Sequence, residues 1–165
     1  MADTADPAVQ ALLADVLNEL SERYGGSGDD TPIAEDDFTP PNGAFFVADD
    51  GERLVGCAGW RRHGDDAELK RMFTAKAGRR RGLGRRLLTA IEDSARAAGC
   101  RRLILETGDQ QPEAIALYET AGYARIPDFG YYKDEEDVLS FAKELGAKEL
   151  GAEELGAQEL GAKDL

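Results

Sequence analysis

Five arginines and three glycines crowd into nine residues, Gly78-Arg79-Arg80-Arg81-Gly82-Leu83-Gly84-Arg85-Arg86. Two glycines two apart at a helix start let the backbone approach a ligand and leave several N–H groups pointing one way. The helix dipole adds partial positive charge, and Arg79, Arg80, Arg81, Arg85 and Arg86 add full charges. Such a turn suits a phosphate or pyrophosphate. A dinucleotide fingerprint would need a glycine or alanine where Leu87 stands, and the Gly-Lys-Ser/Thr triplet of a nucleotide loop is absent from the chain. What remains is Arg79-x-x-Gly82-x-Gly84. The plainer alternative is a basic, solvated helix start whose glycines serve packing.

The elements that must carry this turn follow from periodicity. Before it, residues 67–74 alternate as a strand; Glu68 falls on the face of Met72 and Thr74, opposite Leu69 and Phe73. After it, Leu87, Leu88, Ile91, Ala95 and Ala98 recur at helical spacing. Upstream, residues 8–24 form an amphipathic helix with Asp6 as its cap and Pro7 at its first position. Residues 29–42, with three prolines, form a loop with a short turn at 34–38. Strands at 44–48 and 54–62 then make an antiparallel meander with 67–74. Downstream, 102–107 is a short apolar run typical of a buried strand, parallel to and beside 67–74. Pro112 opens another helix, Gly122 ends it, and strands follow at 123–126 and 138–143.

At 165 residues the chain makes one domain, over residues 1–143, with a real core. From Lys143 it repeats five residues, and leucines spaced by five walk around a helix without making a stripe. Residues 144–165 therefore read as a low-complexity appendage, disordered or a frayed helix. Cys57 and Cys100 read as free, buried thiols of a cytoplasmic protein. No apolar run approaches the roughly 20 residues of a membrane span. One histidine, His63, and two separated cysteines make no metal site.

Net charge is −13, which argues against general nucleic-acid binding. Between Arg61 and Arg102, thirteen basic residues meet five acidic ones; that span is +8 and leaves −21 for the rest. A positive island in a negative protein suits one polyanionic ligand of limited size.

Arg79-x-x-Gly82-x-Gly84 on a strand-loop-helix resembles the acetyl-CoA pyrophosphate loop of the GNAT N-acetyltransferase superfamily. Gln111-x-x-Ala114-Ile115-x-Leu117-Tyr118-x-x-x-Gly122-Tyr123 resembles the second signature of that superfamily, in the right order and at the right separation. Gln111 stands where the family usually has Asn, and the family's usual first strand is not evident before the first helix. The resemblance implies an α+β fold: a mixed, mainly antiparallel sheet with a central parallel pair flanked by helices. It implies acetyl-CoA as co-substrate and an amine acceptor, with neither nucleic acid nor membrane as partner; a homodimer is left open. Arg79, Arg80, Arg81, Gly82, Leu83, Gly84 and Arg85 would hold the pyrophosphate. The backbone of Met72, Phe73 and Thr74 would pair with the pantetheine arm, with Gln111 beside it.

The reaction implied is direct transfer of acetyl from the thioester to a primary amine of a small molecule or peptide. A lysine-like amine of pKa ~10.4 is only about 0.04% neutral at pH 7, a handicap near 4.6 kcal/mol. A general base helps by a factor of order 10²–10⁴. Glu68 stands where several GNAT enzymes carry their catalytic Glu; the other reading is a surface carboxylate paired with Arg71 or Lys70. Tyr118 resembles the family's general acid, and otherwise it is a core tyrosine. A non-catalytic acyl-CoA sensor or partner module is the competing class of function.

Overall fold

The computed structural model describes residues 1–26 and 29–146. Asp6 accepts the Ala8 N–H at 2.8 Å and Pro7 takes the first helical position, so α1 spans Pro7–Tyr24. Its buried stripe of Val9, Leu12 and Val16 packs with Phe45 and Cys57. Strands β1 (Gly43–Asp49), β2 (Leu54–His63) and β3 (Asp66–Thr74) form the expected antiparallel meander. Helix α2 (Leu83–Ala97) buries Leu87, Leu88, Ile91 and Ala95 in a second, larger core. Strand β4 (Arg102–Gly108) lies beside β3 and parallel to it. Helix α3 (Pro112–Thr120), β5 (Ala124–Arg125) and β6 (Val138–Glu144) complete one sheet in the order β1-β2-β3-β4-β6-β5. This is the mixed α+β architecture read from the sequence.

Polar contacts hold the helices to the sheet. Trp60 Nε1 donates to Ser94 Oγ at 2.9 Å, joining β2 to α2. The Tyr123 hydroxyl donates to Glu92 at 2.7 Å, and Lys143 Nζ reaches both Glu92 oxygens at 3.2 Å, joining α2 to β6. Cys57 and Cys100 are free and buried. Residues 1–6 form no strand; a single bond from Ala2 N to Phe45 O, at 2.7 Å, lies along edge strand β1. No helix among the described residues is long and apolar enough to cross a membrane.

One irregularity reshapes the centre of the sheet. Cys57 pairs with Phe73 but Gly59 pairs with Lys70, so β3 carries one extra residue there. Arg71 absorbs it at φ 58°, in the left-handed region. The strand's facing reverses across this bulge. Leu69 and Met72 share the core under α2, while Phe73 packs on the α1 side. Glu68 therefore does not share a face with Met72 and Thr74, as strict alternation predicts. The bulge also ends the parallel ladder. Only Ala67↔Leu103 and Glu68↔Ile104 pair between β3 and β4, whereas β4 stays paired with β6 from Arg102 to Gly108.

At the other end, β6 runs to Glu144 and Leu145 is buried, its N–H donating to Arg101 O at 3.0 Å. The first leucine of the repeats thus belongs to the core. The appendage expected over 144–165 lies, from residue 147 onward, outside the described residues.

Gly43 shows how tightly the loop before β1 is seated. A Cβ there would stand 2.1 Å from Trp60 O and 2.2 Å from Asp37 O, both backbone atoms. Gly43→Ala is expected to destabilise the domain by about 2–4 kcal/mol through overpacking. Urea unfolding checks this; a shift below about 0.5 kcal/mol would show that the loop yields easily.

Candidate active site

The parting of β3 from β4 opens a cavity of about 100 Å³. Its walls are Leu69–Phe73 on one strand and Leu105–Thr107 on the other, closed by Val16, Glu19 and Leu20 of α1 and by Gln111 and Tyr118 at α3. A second cavity of about 360 Å³ shares Leu20, Asp29, Lys70, Glu106, Thr107 and Gln111 with the first, so the two form one groove. Strand edges in the first cavity offer backbone N–H and C=O groups to an extended ligand arm.

The glycine-arginine turn lies beside the end of β3, near Met72 of the first cavity's wall. Gly82 caps α2 in the left-handed conformation, φ 73°, and no side chain caps the helix. The amides of the first turn, Leu83, Gly84 and Arg85, are those a helix leaves without internal acceptors. Gly84 is close to three elements at once: a Cβ there would lie 3.3 Å from Leu117 Cδ2, 3.7 Å from Met72 Cε and 3.9 Å from Thr74 Oγ1. The uncapped helix start, the end of β3 and the face of α3 therefore converge.

The arginines divide in two. Arg79 is committed to the fold: its Nε donates to Thr74 O at 2.8 Å and its guanidinium pairs with Glu19 at 2.8 Å. Arg80, Arg81, Arg85 and Arg86 are exposed, and their guanidinium groups make no hydrogen bond or ion pair within 4 Å among the described residues, although the Arg86 N–H donates to Gly82 O at 3.1 Å. Most other cations of the island are also neutralised: Arg61 by Asp37 and Glu68, Arg71 by Asp29, Arg96 by Asp93, Arg102 by Asp66. What the sequence shows as a broad positive segment is, in three dimensions, a patch of free guanidinium groups around one helix start.

Glu68 is buried, 2% exposed, and its Oε1 accepts from Arg61 Nε at 3.1 Å. His63 Nδ1 is 3.9 Å from the same oxygen, and its ring packs edge-on against Phe129. Arg61 also donates to Asp37 and to Pro32 O, so this cluster anchors the loop before β1. Glu68 is not among the residues lining either cavity, and its partner is Arg61 rather than Arg71 or Lys70.

Tyr118 lines the first cavity and is packed against Tyr123 and Phe141, at ring separations of 5.8 and 6.3 Å. Burial pushes its hydroxyl pKa well up, so it keeps its proton across the physiological range. Gln111 begins α3 and lines both cavities.

Sequence reading passed over two features of the groove. One is Glu106, which lines both cavities from β4; a carboxylate inside the apolar run 102–107 was the available signal. The other is a buried charge cluster at the groove's mouth. Asp29 pairs with Arg71 and accepts from the Thr31 N–H at 2.9 Å, the Thr31 hydroxyl at 2.6 Å and the Tyr132 hydroxyl at 2.7 Å. Lys70 Nζ, 8% exposed as a residue, donates to Thr31 Oγ1 at 3.0 Å and lies 3.8 Å from Asp29. Burial opposes ionisation of Asp29, but Lys70, the Thr31 hydrogen bonds and Arg71 outweigh it and hold its pKa at about 2.

The family model described as acetyltransferase (GNAT) family matches residues 13–123. An IAA acetyltransferase of Azospirillum brasilense is 42% identical over 107 residues, covering 64% of this chain and 70% of that protein. A crystal structure of an acetyltransferase from Streptococcus agalactiae superposes with a TM-score of 0.68 at 26% identity, covering 84% of this chain and 93% of that one. Aminoglycoside 6′-N-acetyltransferase complexed with coenzyme A superposes with a TM-score of 0.64 at 20% identity, covering 88% and 95%. The chain belongs to the acetyltransferase (GNAT) family and is an N-acetyltransferase.

The Asp29 cluster has a measurable signature. A carboxyl whose folded pKa is about 2, against an ordinary 3.8, adds stability that is present above pH 3.8 and lost as pH falls toward 2. The size is on the order of 2 kcal/mol. Asp29→Asn should be less stable than the parent at pH 6, and the gap should narrow between pH 4 and pH 2. Denaturant unfolding at stepped pH checks it; a constant gap would mean that packing, not charge, sets the contribution.

Proposed function

We propose that this chain transfers an acetyl group from acetyl-CoA to a primary amine of a small molecule or peptide, by direct attack of the amine on the thioester. The observation that carries this reading is the convergence of an uncapped helix start, with its free arginines, upon the gap between β3 and β4. A pyrophosphate suits the first; a long, thin arm with amide groups suits the second. The co-substrate joins the two at the distance the fold sets.

The groups act as follows. Amides of Leu83, Gly84 and Arg85, the helix dipole and Arg80, Arg81, Arg85 and Arg86 take the pyrophosphate. Backbone groups of Met72, Phe73 and Thr74 that face away from β2, beyond the end of the β3–β4 pairing, bond the pantetheine arm and polarise the acetyl carbonyl. Gln111 flanks the arm. Tyr118 stands in the same cavity with its proton retained, ready to protonate the departing thiolate. Arg79 serves by holding the loop to α1 and β3 rather than by touching phosphate. The acceptor enters through the larger cavity. Its walls carry Asp29, Glu106, Glu135 and Asp137 against one cation, Lys70, with Tyr24 and Tyr132 among the aromatic surface. Negative walls attract a protonated amine and disfavour an anionic acceptor.

Two experiments test the reading. Replacing Arg80, Arg81, Arg85 and Arg86 together by Ala should raise KM for acetyl-CoA about 10–100-fold, since each exposed charge near phosphate contributes roughly 0.3–1 kcal/mol. Melting temperature should barely move, because none of the four holds the fold together. An unchanged KM at low salt would remove the loop from cofactor binding. Tyr118→Phe should lower kcat by about 10–10²-fold while acetyl-CoA affinity stays near that of the parent, since the ring still packs. A parent-like kcat, read from release of the CoA thiol with a panel of primary amines, would leave Tyr118 as a core residue only.

A further inference from the structure

The two cavities of the groove meet at a neck. Leu20, Asp29, Lys70, Glu106, Thr107 and Gln111 stand in the walls of both and so form it. Three of these six have one neighbour in common, Tyr132, which is itself in the wall of the larger cavity. Its N–H donates to Glu106 Oε2 at 3.1 Å. Its hydroxyl donates to Asp29 Oδ1 at 2.7 Å and accepts the Asp30 N–H at 2.6 Å. Lys70 Nζ lies 6.0 Å from the centre of its ring. Tyr132 thus clasps the loop before β1 to the loop before β6, segments 103 residues apart in the chain.

Each partner in the clasp is held from behind. Gly130 rests directly on the Glu106 carboxylate, where a Cβ would lie 2.5 Å from the carboxyl carbon. Asp29 is fixed by Arg71 and Thr31, and Lys70 by Thr31. Burial and the bond to Asp29 push the Tyr132 hydroxyl up to about 12, so it stays a donor over the range in which amines are assayed. Walls tied by hydrogen bonds to charged groups resist parting.

We propose that Tyr132 is a specificity-determining residue: by fixing the width of the neck it admits a primary amine borne on an unbranched CH2 and rejects one borne on a branched carbon. This rests on the acetyl-transfer reading above. The thioester lies in the smaller cavity, which at about 100 Å³ has little room beyond the acyl end. The amine nitrogen must therefore cross the neck, and the carbon that bears it comes to rest inside. A CH2 there presents only hydrogens to Asp29, Lys70 and Glu106. A methyl or carboxylate in place of one hydrogen meets walls that part only if the clasp opens. The rest of the acceptor lies in the chamber of about 360 Å³ and is free to vary. The acceptor class is thus an aminomethyl compound, such as an alkylamine or a lysine side chain, and not the α-amino group of an amino acid.

The test uses matched primary amines that differ in branching at the carbon bearing nitrogen. The pairs are n-butylamine with sec-butylamine, β-phenethylamine with α-phenethylamine, and peptides whose one free amine is on a lysine side chain or at the amino terminus. CoA thiol release gives kcat/KM for each with the parent, Tyr132→Phe and Tyr131→Phe. The parent should prefer the unbranched member by about 10–100-fold, the effect of one badly placed methyl group. Tyr132→Phe keeps the ring and the backbone bond to Glu106 but loses the clasp to Asp29 and Asp30. Its preference should fall by about five-fold or more, a ratio in which the amines' own basicity cancels. Its KM for acetyl-CoA should stay within about two-fold of the parent, and its melting temperature should fall by less than about 10 °C. Tyr131→Phe, at an exposed ring, should match the parent throughout. A parent that shows no preference overturns the proposal, and so does a Tyr132→Phe enzyme with the parent's preference. A larger fall in melting temperature also overturns it, since Tyr132 would then be a tie that the fold itself needs. Acetyl transfer stands in all three cases. A parent that acetylates none of these amines brings down the acetyl-transfer reading, and this inference with it.

Discussion

The architecture of the groove depends on a short-lived pairing. Strands β3 and β4 run parallel for two residue pairs and then part. The cause is local: one extra residue in β3, taken up by Arg71 in a left-handed conformation, turns the strand away. Everything chemical follows from that divergence. It releases backbone groups along two strand edges and opens a cavity in the middle of a sheet. It also sets Lys70 and Glu106 on opposite walls of one groove. A flat, fully paired sheet of the same composition would bury these strands against each other and leave no room for a substrate. The bulge itself is stabilised, since Arg71 carries its strained backbone but gains the carboxylate of Asp29.

Charge is arranged on a related logic. The acidic protein spends many of its acids on neutralising its own central cations. Asp29, Asp37, Glu19 and Asp66 each hold an arginine of the basic segment; the first three pairs fasten loops and α1 to β3, β2 and the glycine-arginine turn, and the fourth ties β3 to β4. Arg80, Arg81, Arg85 and Arg86 remain unpaired, at the one helix start whose amides lack a cap. Net charge alone would suggest a protein indifferent to anions; the local field at α2 says otherwise. In the larger cavity the balance is reversed, with acids outnumbering Lys70 among the described residues of its walls. The two ends of the molecule's working face thus differ in sign.

Element types and order were legible in the sequence because they depend on local periodicity and punctuation. The 3.6-residue spacing of Leu87, Leu88, Ile91 and Ala95, Pro7 after Asp6, and Pro112 at the start of α3 are short-range signals, and the helices formed where they stood. The glycine-arginine turn was legible for the same reason, since glycine spacing and charge are written in consecutive residues. The match of the two motifs to one family could also be read directly.

Which side chains share the site could not be read that way. The stretch 69–74 alternates without glycine or proline, so nothing in it announces a bulge, and strict alternation misplaces Glu68 relative to Met72 and Thr74. The partner of Glu68 is Arg61, seven positions away and across a register that only the β2–β3 pairing establishes. Arg79 reads as a free cation of the turn until α1, sixty residues earlier in the chain, brings Glu19 to it. Glu106 sits in an apolar strand and reads as that strand's polar end; the loop at Gly130 and Tyr132 encloses it only after β6 has folded against β4. Local geometry is determined by neighbouring residues, and the sequence carries it. Burial, the pairing of charges and the set of side chains that line one cavity depend on long-range packing, and only the tertiary structure decides them.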